Sequence, residues 1–518
     1  MITRRRFLAV TAALAAPALL GGTGCTTTDR EQTAQLLRSA LPLPERFTLP
    51  FRTPPVKTGS RTAAGRTAYE IVQRPARVEI LPGVQTEIWG YDGQFPGPTL
   101  RARRGEAVTV RHRNRLPRPT VVHLHGGHVA AADDGYAVDF VLPEDDTNHD
   151  AHDHEHEAGD VRHGFRDYRY PNQQRAATLW YHDHRMDFTG PQVWRGLAGL
   201  YLLGDEEEDR LELPAGDRDL PVMITDRAFT ADGALAYPSL DPDLRHPHGV
   251  TADYHAGVLG DVILVNGVPW PELEVVAARY RLRLVNASNA RRYTLSLDPP
   301  PPDGPAFVQV GADGGLLAAP IEHAEIPIAA AERFDVVVDF GRYPIGTVVT
   351  LRNGLGAGSA DAVMRFRVVR RAADPSRPVP DRLSEVEPLR PPAGATVREW
   401  RFGRGRNGGP HWVINGLPFD PGRMDAHPRL GETEIWRFRS DVHHPVHVHL
   451  DPFQVLRRDG ADPRPSDRGW KDTVDILAWQ TVEVAIRFTD HAGKYMLHCH
   501  NLEHEDMMMM AAFQTIAP

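Results

Sequence analysis

Three times along the chain, a turn rich in glycine and proline leads into a stretch where apolar and polar residues alternate. The first runs from Gly93-Gln94-Phe95-Pro96-Gly97-Pro98 into Ala107-Val108-Thr109-Val110-Arg111. The second runs from Asn266-Gly267-Val268-Pro269-Trp270-Pro271 into Tyr280-Arg281-Leu282-Arg283-Leu284-Val285-Asn286. The third runs from Asn415-Gly416-Leu417-Pro418-Phe419 into Glu434-Ile435-Trp436-Arg437-Phe438. Period-two alternation predicts strands with one buried face. Recurrence at roughly 150–170 residues is too long for a solenoid and predicts three copies of one all-β sandwich. Limits near Asp205, in an acidic run, and near Ala372, before a proline-rich linker, divide the chain into 43–205, 206–371 and 372–518.

Two segments depart from this pattern. The N-terminus, 1–30, places Arg4, Arg5 and Arg6 before a short alanine- and leucine-rich run ending at Leu20. That order predicts a twin-arginine export signal, too short to span a bilayer, and hence a periplasmic or extracellular protein. Cys25 follows Gly22-Thr23-Gly24, loosely a lipoprotein cleavage box without its usual leucine. Removal with the signal and a lipid anchor both stay open. The other segment, 144–163, carries His149, His152, His154, His156 and His163 among acids, with almost no apolar residue. It predicts a solvated surface loop, with metal delivery as the sharper alternative.

Composition narrows the class. With 518 residues, 25% charged and a net charge of −9, the chain has core enough for several domains and no basic excess to suit nucleic acid. Forty-five Gly and forty-five Pro suit short strands joined by turns. The 25 histidines, packed two or three to a short segment, are the composition of a metalloprotein.

The chemistry concentrates in His498-Cys499-His500-Asn501-Leu502-Glu503-His504, followed by Met509. Two imidazoles, a thiolate and a weak thioether make a blue-copper set, and His444, in His444-Pro445-Val446-His447-Val448-His449, supplies the second imidazole. In a strand, neighbours point to opposite faces, so Cys499 serves one site while His498 and His500 serve another. His123-Leu124-His125, His182-Asp183-His184 and His447-Val448-His449 add three further pairs spaced to share a face. One such pair is weak evidence; four pairs beside a Cys, His and Met set are specific.

These segments, in order and spacing, resemble the multicopper oxidases, most closely the bacterial three-domain branch similar to spore-coat laccase and bilirubin oxidase. The resemblance covers most of the chain after about Leu43. It implies three consecutive cupredoxin-like Greek-key domains and four copper ions. It assigns type 1 copper to His444, Cys499 and His504 with Met509 axial, and type 2 copper to His123 and His447. The type 3 pair falls to His125, His182, His184, His449, His498 and His500. Two acids, Glu505 and Asp134, match those that supply protons for O2 reduction. The run Met507 to Met510 leaves the axial register open at this stage. An axial Met implies a low-to-middling potential and easily oxidised donors: phenols, aminophenols or bilirubin-like pigments. The donor's electrons are expected to arrive near His444 or His504, with an imidazole edge at the surface. O2 and a small reducing substrate are the expected partners, with no stable membrane span, and a monomer is expected. A cuprous oxidase is the first alternative, disfavoured because no methionine-rich insert appears. A copper-binding exterior protein is the second, and a copper nitrite reductase is disfavoured by the four histidine pairs.

Overall fold

The alternating segments form strands as expected: Val108–Asn114, Arg279–Asn286 and Thr433–Ser440. The structure is a computed structural model and describes residues 34–62, 65–145, 159–246, 249–405 and 412–517. The export signal, Cys25 and His149, His152, His154 and His156 lie outside the described residues. Strand makes up 47% and helix 8%, so every layer of the fold is a sheet. The chain is three consecutive cupredoxin-like β-sandwiches.

Each sandwich packs two sheets around its own apolar cluster. In the first, a five-stranded sheet containing Thr67–Glu79 and Val108–Asn114 faces a four-stranded one. The four-stranded order is Gly97–Arg103, Ala198–Gly204, Ala177–Asp183, Val122–His125. The last sandwich repeats the plan, its four-stranded sheet ordered Thr473–Ile476, His444–Val448, Gly493–Cys499, Met510–Thr515. The pairs His123 and His125, His182 and His184, His447 and His449, and His498 and His500 sit on or just beyond strands of these two smaller sheets.

The middle sandwich contributes none of these eight histidines but ties the other two sandwiches together. Arg281 and Arg283, on strand Arg279–Asn286, bind buried Glu208 from the acidic run. That run therefore forms a short helix, Glu206–Asp209, capped by Asp205 and pinned by two arginines, rather than a free linker. The segment ahead of the first sandwich also has a partner: Gln35–Leu37 pairs in parallel with Val258–Gly260 of the middle sandwich. The histidine-rich loop is anchored at both ends. Arg162–His163 pairs with Val141–Leu142, and Glu144 bridges Arg113 and Arg115. The described ends of the segment, Glu144 and Arg162–His163, are exposed to solvent, with strand pairing and ion pairs in place of apolar burial. Among the described residues, no helix is long and apolar enough to cross a membrane.

Candidate metal centres

Register decides which side chains meet. In the first sandwich His123 lies directly opposite His182; in the last His447 lies opposite His498. Cross-strand partners share a face, so each pairing sets two imidazoles side by side. The two sheets then bring these faces together. His125 stacks on His447 with ring centroids 3.7 Å apart, and His123 on His449 at 3.9 Å. Cys499 pairs with Val446 and so shares its face with His444, away from His447 and His498.

Four groups of converging donors result. His444, Cys499 and His504 form one; the sulfur is 3.5 Å from His444 Nδ1 and 3.6 Å from His504 Nδ1. His125, His182 and His500 form a second, and His184, His449 and His498 a third. His123 and His447 face each other through Nε2 at 3.4 Å, with His449 close by. A further grouping of His125, His447 and Asp472 is of another kind, because Arg333 neutralises the Asp472 carboxylate through both oxygens. Asp472 accepts from His125 Nε2 at 3.1 Å and holds that ring rather than offering a free ligand.

The donor set fits metal ions. In ring after ring one nitrogen is held by the protein and the other left without a partner. Nδ1 of His123, His182 and His447 binds the backbone carbonyls of Asp134, Asp183 and Asp472 at 2.7, 2.8 and 2.9 Å. His449 Nδ1 binds the Asp134 carboxylate at 2.8 Å. The unpartnered nitrogens include His125 Nδ1, Nε2 of His182 and His449, and both nitrogens of His500, all deep in the protein. Burial, reinforced by neighbouring imidazoles, pushes His123, His125, His447, His449 and His500 well below the usual histidine range. Neutral rings fixed at one nitrogen, with inward lone pairs at the other, are what cations require and what hydrogen bonding would not leave.

A five-residue helix, Leu502–Asp506, returns His504 to Cys499, and the Asn501 side chain caps it by accepting from the His504 N–H. Met509 is buried in the same apolar cluster as Cys499, and its carbonyl accepts the Cys499 N–H at 3.1 Å. Neither His444 nor His504 has any exposure, which corrects the expectation of a surface imidazole edge. The cause is Trp412, whose indole covers His504 at a centroid distance of 3.9 Å.

The two acids are not surface residues. Asp134, at the end of the turn Ala131–Asp133, is fully buried; desolvation pushes its carboxyl up to about 7 against the lowering influence of His184 and His498. Glu505 takes a hydrogen bond from Thr189 Oγ1 at 2.7 Å and lies 3.0 Å from His498 Nδ1 and 3.4 Å from His184 Nδ1. Burial raises its pKa, but the neighbouring imidazoles of His184 and His498, the latter through a hydrogen bond, outweigh that and hold it well below the usual carboxylate range. Both acids thus flank the His184–His449–His498 group. Sequence reasoning missed Asp472, Arg333, Thr189 and Trp412, none of which stands in a recurring motif.

Models of the family described as multicopper oxidase match 73–149 with 162–208, and 389–517. A laccase of Bacillus stratosphericus is 37% identical over 92% of this chain and 98% of its own. The chain belongs to the multicopper oxidase family. A bilirubin oxidase of Albifimbria verrucaria is 36% identical, covering 91% of this chain and 82% of its own. Among solved structures, a multicopper oxidase of Pediococcus acidilactici superposes with a TM-score of 0.80 at 29% identity, over 95% of both chains. Like its family, this multicopper oxidase is a copper-dependent oxidoreductase that uses O2 as acceptor.

A cavity of about 490 Å³ opens onto His123, His447 and His449, and His128 stands on its rim. His128 spans Asp451 at 3.2 Å and Asp490 at 2.8 Å. Burial opposes its charge, yet the two carboxylates raise its pKa to about 9. A raised histidine stabilises the fold fully below its unfolded pKa of about 6.5 and loses that contribution as pH rises through the folded value. The copper-free protein is therefore expected to melt progressively lower between about pH 7 and pH 10, by on the order of 3 kcal/mol at most. His128→Asn is expected to flatten this part of the profile, as thermal melting across the range would show.

Proposed function

We propose that this chain is a laccase-like oxidase that removes single electrons from phenolic, aminophenolic or bilirubin-like donors and delivers four to O2, forming water. One observation carries the reading: a thiolate group and two imidazole groups are joined through the single segment His498-Cys499-His500, with His447 of the remaining group packed against both His498 and His125. His444, Cys499 and His504 with Met509 would hold type 1 copper, and His123 and His447 type 2 copper. The type 3 pair would take His125, His182 and His500 on one side and His184, His449 and His498 on the other, giving four ions. Bound copper cycles between two oxidation states and supplies the one-electron chemistry.

The protein's own part is orientation, insulation and protons. Backbone carbonyls and Asp472 fix the rings so that little reorganises during turnover. Cys499 and its flanking histidines give the shortest covalent connection between the groups. Four protons must reach the oxygen atoms for each O2 reduced to two waters. Asp134, whose carboxyl pKa is pushed up to about 7, can hold and release one proton at its Oδ1, which makes no hydrogen bond. Glu505, anchored by Thr189, can accept and pass protons beside His184 and His498.

One chain assembles all four groups, which supports a functional monomer with domain limits at 43–205, 206–371 and 372–518. The twin-arginine segment supports export, with Cys25 either removed or lipidated. The second reading, a cuprous oxidase, is favoured by no comparable observation. Guaiacol is expected to be oxidised with a kcat/KM at least about tenfold above that for cuprous ion; the reverse order in a side-by-side oxygen-uptake assay would replace this reading.

A further inference from the structure

With both type 1 imidazoles buried, electrons need a route from the surface. Trp412 closes the gap on one side: its ring stacks on His504 at 3.9 Å, inclined by 32°, and its Nε1–H is fixed on the His255 carbonyl at 2.7 Å. It is itself 2% exposed. Directly across the strand pair from Trp412 stands Arg404, an exposed residue whose guanidinium carbon lies 5.1 Å from the indole centroid. The stack therefore runs from solvent through Arg404 and Trp412 to His504. Arg404 is held at its main-chain N–H by Asp441, at 3.0 Å. Among the described residues no carboxylate pairs with its guanidinium, unlike Arg437 and Arg439 nearby, which pair with Glu399.

We propose that donor electrons enter through Trp412, and that Arg404 above it selects aromatic donors carrying a carboxylate. This rests on the laccase-like reading and names the donor class for the same site. A guanidinium stacked on an indole keeps its N–H fork available for a carboxylate, and an aromatic donor so held lies against the Arg404–Trp412 stack. A neutral phenol gains only the stacking contact, and a cuprous ion meets like charge. The redox balance is that of the parent reaction. Four phenolic donors each lose one electron and the hydroxyl proton, becoming phenoxyl radicals, while one O2 takes up four electrons and four protons to give two waters.

The test uses the copper-loaded enzyme with guaiacol and vanillate, which differ by one carboxylate. Arg404→Gln is expected to lower the vanillate-to-guaiacol ratio of kcat/KM about tenfold and to abolish its dependence on salt. Trp412→Leu is expected to slow the anaerobic bleaching of the blue band by either donor about tenfold, with the reduction potential and reoxidation by O2 unchanged; Trp412→Phe, which keeps a stacked ring, restores most of the rate. Melting of both Trp412 variants identifies a folding defect, and the Arg404→Gln arm stands independently of it. In copper-free protein, anisate binding measured by calorimetry is expected to weaken about tenfold in Arg404→Gln. An unchanged donor ratio, together with unchanged anisate binding, overturns the role of Arg404; unchanged bleaching in Trp412→Leu overturns that of Trp412. Wild-type enzyme that is blue but oxidises neither donor would instead overturn the laccase-like reading, while anisate binding would still report on Arg404.

Discussion

Replacing Cys499 with Ser is expected to abolish the blue colour, lower the copper content by about one ion and reduce oxidase turnover by several orders of magnitude. The thiolate is both a member of the His444–His504 group and the covalent link to His498 and His500. A hydroxyl is nearly the same size but lacks the soft, readily deprotonated sulfur that such a site needs. Burial pushes the Cys499 thiol well above its ordinary range, so its proton leaves only when a cation takes its place. The strand itself is secured by pairing to His444–Val448 on one side and Met510–Thr515 on the other, so the fold is expected to survive. Metal analysis, the visible spectrum and oxygen uptake check the three effects separately. Turnover near the wild-type level without blue colour would show that electrons reach the imidazole groups by some other path.

Glu505→Gln is expected to slow reoxidation of the reduced enzyme by O2 roughly 10²–10³-fold while leaving the blue band and its anaerobic reduction by donor intact. The amide has the shape of the carboxylate and keeps the hydrogen bond from Thr189. It cannot take up a proton beside His184 and His498. Asp134 lies on the other side, against His449 and near His123, and still serves that edge, which is why the loss is partial. Stopped-flow mixing of reduced enzyme with oxygenated buffer separates this step from reduction by donor. A reoxidation rate equal to wild type would remove Glu505 from the proton route.

The histidine pairs were legible because a strand repeats every two residues, so His-X-His writes a shared face directly into the sequence. The same rule separates Cys499 from His498 and His500. The three-sandwich plan was legible from alternation and turn residues. Asp134 and Glu505 came from family resemblance alone, since neither acid differs locally from many others. Arg333 and Asp472 lie 139 positions apart and meet only when the middle and last sandwiches pack, and no local pattern announces such a pair. Trp412 hides for a related reason: it sits in a strand rich in apolar residues, and only the return of the Leu502–Asp506 helix lays His504 beneath it. The expectation of an exposed imidazole failed there, because ligand spacing says which residues converge but not what covers them.

The most direct measurement is copper analysis of the purified, copper-loaded enzyme together with its absorption and spin-resonance spectra. About four ions per chain are expected, with an intense blue band, one blue-type resonance and one ordinary cupric resonance, the remaining pair being silent. One or two ions with a blue band alone would contradict the account, because the imidazole groups around His125, His184 and His447 would then hold no metal.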